Sequence, residues 1–170
     1  MSADLERHTA KILRERAERL ARDVTRDSQK GDEIEIAICA VGDETFGFPV
    51  RHLREIVPLP AVTRLPFAPA WILGISQVRG TLLSVIDLAR LSGVKGTSTP
   101  AYLAVLDAHE GPIAFTVDQV VSYRRVSLAE LGAGESGVRA EGRATLGVTR
   151  NLIVVLDIPR LLQQPELVIG

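Results

Sequence analysis

Along residues 2–30 the apolar positions Leu5, Ile12, Leu13, Ala17, Leu20 and Val24 recur close to helical spacing, separated by charged residues. The pattern predicts one amphipathic helix. Asp4 and Glu6 near its start and Arg22, Arg26 and Lys30 near its end complement the helix dipole. Glu15 with Arg19, and Glu18 with Arg22, stand four apart in the favourable order. Gly31 is a natural stop, so the chain divides into a helical flank, 1–31, and a domain, 32–170. The apolar stripe is narrow, which suits docking along the domain or pairing with a helix of another protein better than a free helix in water.

From residue 32 the period shortens. Ile34, Ile36 and Ile38 alternate with Glu35, Ala37 and Cys39, as in a half-buried strand, and Gly42-Asp43-Glu44 turns the chain into a partner at 45–50. A second hairpin is predicted at Tyr102–Asp107 and Ile113–Val117, around Gly111-Pro112. Further apolar runs at 72–78, 81–86, 119–126, 145–149 and 151–156 complete an all-β pattern of short strands, indicating a barrel or sandwich.

These strands belong to an internal repeat. FPVRHLREI at 48–56 resembles FTVDQVVSY at 115–123, and LSVIDLARL at 83–91 resembles IVVLDIPRL at 153–161. In the second pair an apolar strand ends at Asp87 or Asp157, each typed as the N-cap of a short helix. The expectation is one small barrel-like unit per half, with Phe48 and Phe115, and Val85 and Val155, in corresponding buried positions.

Composition removes several classes of function. The 170 residues suffice for a core without disulfide or metal, and 46% are hydrophobic against 4% aromatic, so that core is aliphatic. A net charge of −1 argues against a general nucleic-acid or anionic-membrane binder, and Arg124-Arg125 is a single basic spot. The lone Cys39 permits no intrachain disulfide. No apolar run approaches the roughly 20 residues of a membrane span, and the charged N-terminus does not read as a signal peptide, so a cytoplasmic protein is expected.

The most informative stretch is Leu53–Leu88. A strand carrying Arg54-Glu55 leads into a segment stiffened by Pro58, Pro60, Pro66 and Pro69, then a strand ending at Arg79-Gly80, then an apolar strand closed by Asp87. It contains no nucleophile, ligand cluster or phosphate loop, and sets one acid and one base among aliphatic side chains, which suits a docking surface. Strand periodicity puts Leu53, Glu55 and Val57 on one face, and Ile75, Gln77 and Arg79 on one face. Side-by-side strands would let Glu55 meet Arg79, as an intramolecular brace, as part of a partner surface, or as both.

Leu53-Arg54-Glu55-Ile56, the proline-bearing linker, Gly74-Ile75-Ser76-Gln77-Val78-Arg79-Gly80 and Val85-Ile86-Asp87-Leu88 together resemble the signature of CheW-type chemotaxis coupling proteins. The resemblance continues more weakly at Phe115–Val120 and Leu156-Asp157 and covers residues 34–163. It implies two intertwined five-stranded SH3-like barrels sharing a core, with the N-terminal helix added. It also implies an adaptor between chemoreceptor cytoplasmic tips and the regulatory domain of a CheA-type histidine kinase, with other CheW-like proteins as further partners. The kinase would meet the first barrel and the receptor the groove between barrels, with Leu53, Glu55, Ile56, Val57, Gly74, Val78, Arg79 and Gly80 as the partner-binding residues. Gly74 and Gly80 are expected at bulges or tight approaches. The chain departs from the family at Gln77-Val78, where Asn-Leu is usual, at Ser84, where proline is common, and in the glycine-rich loop 132–142. These departures motivate the alternative of a CheW-like protein that keeps only one interface.

Other chemistry lacks residues. Gly132-Ala133-Gly134-Glu135-Ser136-Gly137 matches a dinucleotide fingerprint by letter, but follows a polar Leu128-Ala129-Glu130-Leu131 turn instead of a buried strand. His8, His52 and His109 have no paired spacing, and Asp107, Glu110, Asp118 and Asp157 fall at strand ends and turns. No catalytic residue, cofactor or metal is expected, and the function is stoichiometric, through interfaces of about 1,000–1,600 Å².

Overall fold

Alternation from residue 33 onward is realised in a computed structural model that describes residues 9–19, 32–132 and 144–164. The chain forms two units, Met1–Glu33 and Ile34–Gly170. In the first, residues 9–19 are helical (α1). The remaining positions of the predicted helix, including Leu5, Leu20, Val24 and the stop at Gly31, lie outside the described residues, as do 133–142 of the late loop.

From Glu33 onward the chain runs β1 (Glu33–Val41), β2 (Glu44–Pro49), β3 (Leu53–Pro58), β4 (Ile72–Val78), β5 (Thr81–Ile86), α2 (Leu88–Ser92), β6 (Tyr102–Leu106), β7 (Ile113–Val117), β8 (Gln119–Ser127), β9 (Thr145–Val148), β10 (Ile153–Leu156) and α3 (Ile158–Leu162). The strands make two five-stranded SH3-like barrels. One has the order β3-β6-β7-β5-β4 (barrel I) and the other β8-β1-β2-β10-β9 (barrel II). The inner contact of each is parallel, β5 on β7 and β10 on β2.

These orders correct the expectation of one barrel per half. Replacing each of β1–β5 by its counterpart among β6–β10 turns one order into the other, so the repeat is real. Yet barrel I takes three strands from the first half and two from the second, and barrel II the reverse. The halves have exchanged strands, which is how the barrels come to be intertwined.

The exchange explains why the central strands are apolar on both faces. In β6, Leu103 and Val105 fill barrel I, while Ala104 and Leu106 face a core between the barrels. In β1, Ile36 and Ile38 fill barrel II, while Ala37, Cys39 and Val41 face that shared core. Phe48 and Phe115 are both fully buried there, ring centroids 6.5 Å apart and tilted by 49°. As repeat-equivalent residues in contact, they mark the pseudo-twofold relation between the halves. Val85 and Val155 are buried in barrel I and barrel II respectively, as the repeat predicts.

Both expected caps form. Asp87 Oδ1 accepts from the Arg90 amide at 3.1 Å and Asp157 Oδ1 from the Arg160 amide at 3.2 Å, so the last strand of each half passes directly into a helix. Cys39 is fully buried, and burial pushes its thiol up to about 12. At pH 8 a thiol reagent should label the native protein only as fast as it opens, and label the urea-unfolded chain at once. Because the folded-state pKa is the raised one, this thiol also lowers stability as pH rises from its unfolded value towards 12.

Candidate partner-docking surfaces

Barrel I carries the sequence-selected residues, and β3 departs from simple alternation. Leu53 pairs with Leu106 and Glu55 with Val105, so the register shifts between them and Arg54 is the extra residue of a bulge. Leu53 and Ile56 therefore pack on the shared core, while Val57 packs on the barrel I interior. The expected common face of Leu53, Glu55 and Val57 is corrected, because one inserted residue inverts the side-chain direction before it. Exposed Arg54 forms its own ion pair with Asp107.

A second correction concerns Arg79. β4 ends at Val78, which pairs with Thr81, leaving Arg79-Gly80 as a two-residue turn with φ of 48° and 81°. Two left-handed central residues are what such a hairpin requires, and Gly80 fits at once. Arginine does so under strain, since its Cβ crowds the following carbonyl. From this turn Arg79 Nε donates to Glu55 Oε2 at 2.7 Å. The acid is the sheltered partner, its side chain 21% exposed against 77% for Arg79. The hydrogen bond and charge of Glu55 raise the Arg79 pKa above its ordinary value.

β3 and β4 are not neighbours: they are the two margins of the barrel I sheet, brought together by closure. The segment after β3 seals the seam. The Leu59 amide donates to Ala101 O, Thr63 and Ile75 exchange both backbone hydrogen bonds, and Ser76 Oγ donates to Ala61 O. Gly74 is the tight approach expected of it, because a Cβ there would lie 2.1 Å from Thr63 O. Gly80 has open space around it and is needed for its φ alone. Of the eight predicted residues, Arg79 and Gly80 are exposed and Glu55 half-buried, whereas Gly74 and Val78 are buried and can act only by shaping the hairpin.

Sequence reasoning missed the apolar side chains that stand out on this barrel. Leu82, opposite Gln77, is 64% exposed, and Phe67 is fully exposed with φ of 60°. An aromatic between Pro66 and Pro69 was the available signal.

A groove of about 710 Å³ opens between the barrels, lined among others by His52, Ser84, Asp107, Ile113, Ile158 and Leu162. It brings His52 and His109 to one site despite their separation in sequence. Burial, then the neighbouring Arg51, lower the His52 pKa, while Asp157 opposes them, and Arg51 Nε donates to His52 Nε2 at 3.2 Å, which suits a neutral ring. Among the described residues no group of three or more histidine, cysteine or acidic side chains could hold a metal ion. No helix of the described residues is long and apolar enough to cross a membrane.

A family model described as the CheW-like domain matches residues 35–166. The chain belongs to that family. CheW-like domains are non-catalytic scaffold modules, and so is this one. The chain is similar to Protein FrzA of Myxococcus xanthus, 28% identical over 145 residues that cover 80% of this chain and 89% of the relative. It is also similar to the chemotaxis protein CheW of Helicobacter pylori, 25% identical over 131 residues that cover 73% and 78%. The crystal structure of the scaffolding protein TtCheW from Thermoanaerobacter tengcongensis shares the fold, with a TM-score of 0.66 at 18% identity, covering 78% of this chain and 90% of that one.

Proposed function

We propose that this CheW-like protein is a cytoplasmic adaptor that couples chemoreceptor tips to a CheA-type histidine kinase and is recruited to receptor arrays by those partners. The kinase's regulatory domain docks on barrel I around Glu55, Arg79 and Gly80, with Leu53, Ile56, Val57, Gly74 and Val78 holding that surface in shape. The receptor tip occupies the inter-barrel groove, and other CheW-like proteins compete for the barrel surfaces. The observation that carries this reading is Arg79, a largely exposed guanidinium held in a left-handed turn that asparagine or glycine would fill with less strain. An exposed guanidinium held against backbone preference, and fixed in direction by Glu55, has the properties of an interface anchor.

Arg79→Asn should leave the fold intact, because it relieves the turn and removes only an exposed pair. It should weaken kinase-domain binding by roughly tenfold or more, read by calorimetry with the isolated regulatory domain. Unchanged binding by the folded variant would mean that the pair only closes the seam.

The second reading, a protein with one interface left, draws on position as well as identity. Ser84, one departure from the family, lines the groove, and Gln77, another, is exposed on β4. Separate binding measurements with kinase domain and receptor tip decide between the readings: coupling requires both.

A further inference from the structure

The pseudo-twofold relation calls for two inter-barrel grooves, and among the described residues only one is open. The open groove lies between the β6–β7 turn and α3. Its counterpart lies between the β1–β2 turn at Gly42-Asp43 and α2, and there the chain occupies its own groove. After α2 the backbone reverses at Gly93 (φ 65°), and the Val94 amide donates to Ala89 O at 2.9 Å. The Val94 side chain packs on the shared core. The Gly96 amide then donates to Asp43 Oδ1 at 3.2 Å, and Ser98 Oγ to Asp118 Oδ1 at 2.7 Å. The other Asp118 oxygen accepts the Gly42 amide at 2.7 Å, so one carboxylate ties the strap to the turn it covers. The seating is tight: a Cβ on Gly96 would lie 2.8 Å from the Asp43 amide, and one on Gly42 2.7 Å from Val94. A cleft of about 280 Å³ remains beside the strap, against about 710 Å³ in the open groove.

We propose that residues 93–98 are a displaceable intramolecular occupant of the second inter-barrel groove, and that this strap makes the protein monovalent for the groove partner. The barrels supply two equivalent sites, and the strap closes one. What the strap supplies there is one aliphatic anchor, Val94, a small residue where the backbones touch, Gly96, and an N–H and an O–H donor for two carboxylates. The inference rests on the reading of the open groove as the receptor-tip site.

The test uses the full chain and a receptor-tip fragment. Val94→Ser combined with Ser98→Ala removes the apolar anchor and the hydroxyl donor but leaves the Asp118–Gly42 bond. Hydrogen exchange should show the amides of Val94 and Gly96 opening without β2 or β7 in the wild type, and roughly tenfold or more faster in the variant. Calorimetric stoichiometry should rise from one fragment per chain to two. If the double variant does not fold, Ser98→Ala alone carries the same comparison. A freed strap with stoichiometry still at one overturns the proposal, as does a strap that exchanges only with global unfolding. If the wild type binds no tip fragment, the receptor reading fails, and exchange alone then upholds or overturns the strap as a displaceable occupant.

Discussion

Phe48→Ala and Phe115→Ala should each cost about 3–5 kcal/mol, enough to bring a domain of ordinary stability to the edge of unfolding. Both rings are fully buried in the core that joins the barrels, where no solvent can fill the vacated volume. Because the rings are in contact, the first truncation already removes part of what holds the second. The double variant should therefore cost less than the sum, by about 0.5–1.5 kcal/mol, in a urea-denaturation cycle. Phe67→Ala is the control, a fully exposed ring whose removal should change stability by no more than about 0.5 kcal/mol. A cost below about 1 kcal/mol at Phe48 would show that the barrels do not share a continuous core.

Gly74→Ala should be the most damaging methyl addition in barrel I. The new Cβ would meet Thr63 O at 2.1 Å, and Thr63 is held by both of its backbone bonds to Ile75, so neither side can yield. A φ of 151° adds strain that only glycine escapes. A loss of about 3 kcal/mol or more is expected. Gly147, the counterpart in β9, has φ of 149° and a tightest contact of 2.8 Å to the Leu131 side chain, so Gly147→Ala should cost less. Gly80→Ala meets nothing and should lose only the left-handed preference, about 1 kcal/mol. Thermal melts of the three variants give the order; Gly80→Ala as the worst would move the critical constraint from the Thr63 crossing to the hairpin turn.

The glycine pair shows how much of the repeat was legible. Asp87 and Asp157 were readable as caps because capping is local, satisfied within three residues. Leu73-Gly74-Ile75 and Leu146-Gly147-Val148 match equally well in the structure, with a register shift at each glycine and isolated bridges from Thr63 to Ile75 and Gly132 to Val148. Three letters are too short to stand out from other apolar runs, so this third element of the repeat was invisible beforehand. At Glu55 and Arg79 the partnership was foreseen but its geometry was not. A bulge at Arg54 and a left-handed turn at Arg79 both depend on partner strands distant in sequence.

By itself the sequence determined the all-β class, the strand positions, the internal repeat, the helix caps, the aliphatic core and the acid–base pair at barrel I. Each follows from periodicity, capping chemistry or composition, properties that act within one element. Tertiary structure alone decided that the halves exchange strands, that alternate faces of β1 and β6 serve different cores, and that residues 96 and 98 seat on the carboxylates of Asp43 and Asp118. Alternation tells a strand which side chains to bury but not which neighbour will bury them, and two similar halves offer near-identical neighbours. What decides between them is burial summed over both barrels and the core they share, and that sum exists only in the folded chain.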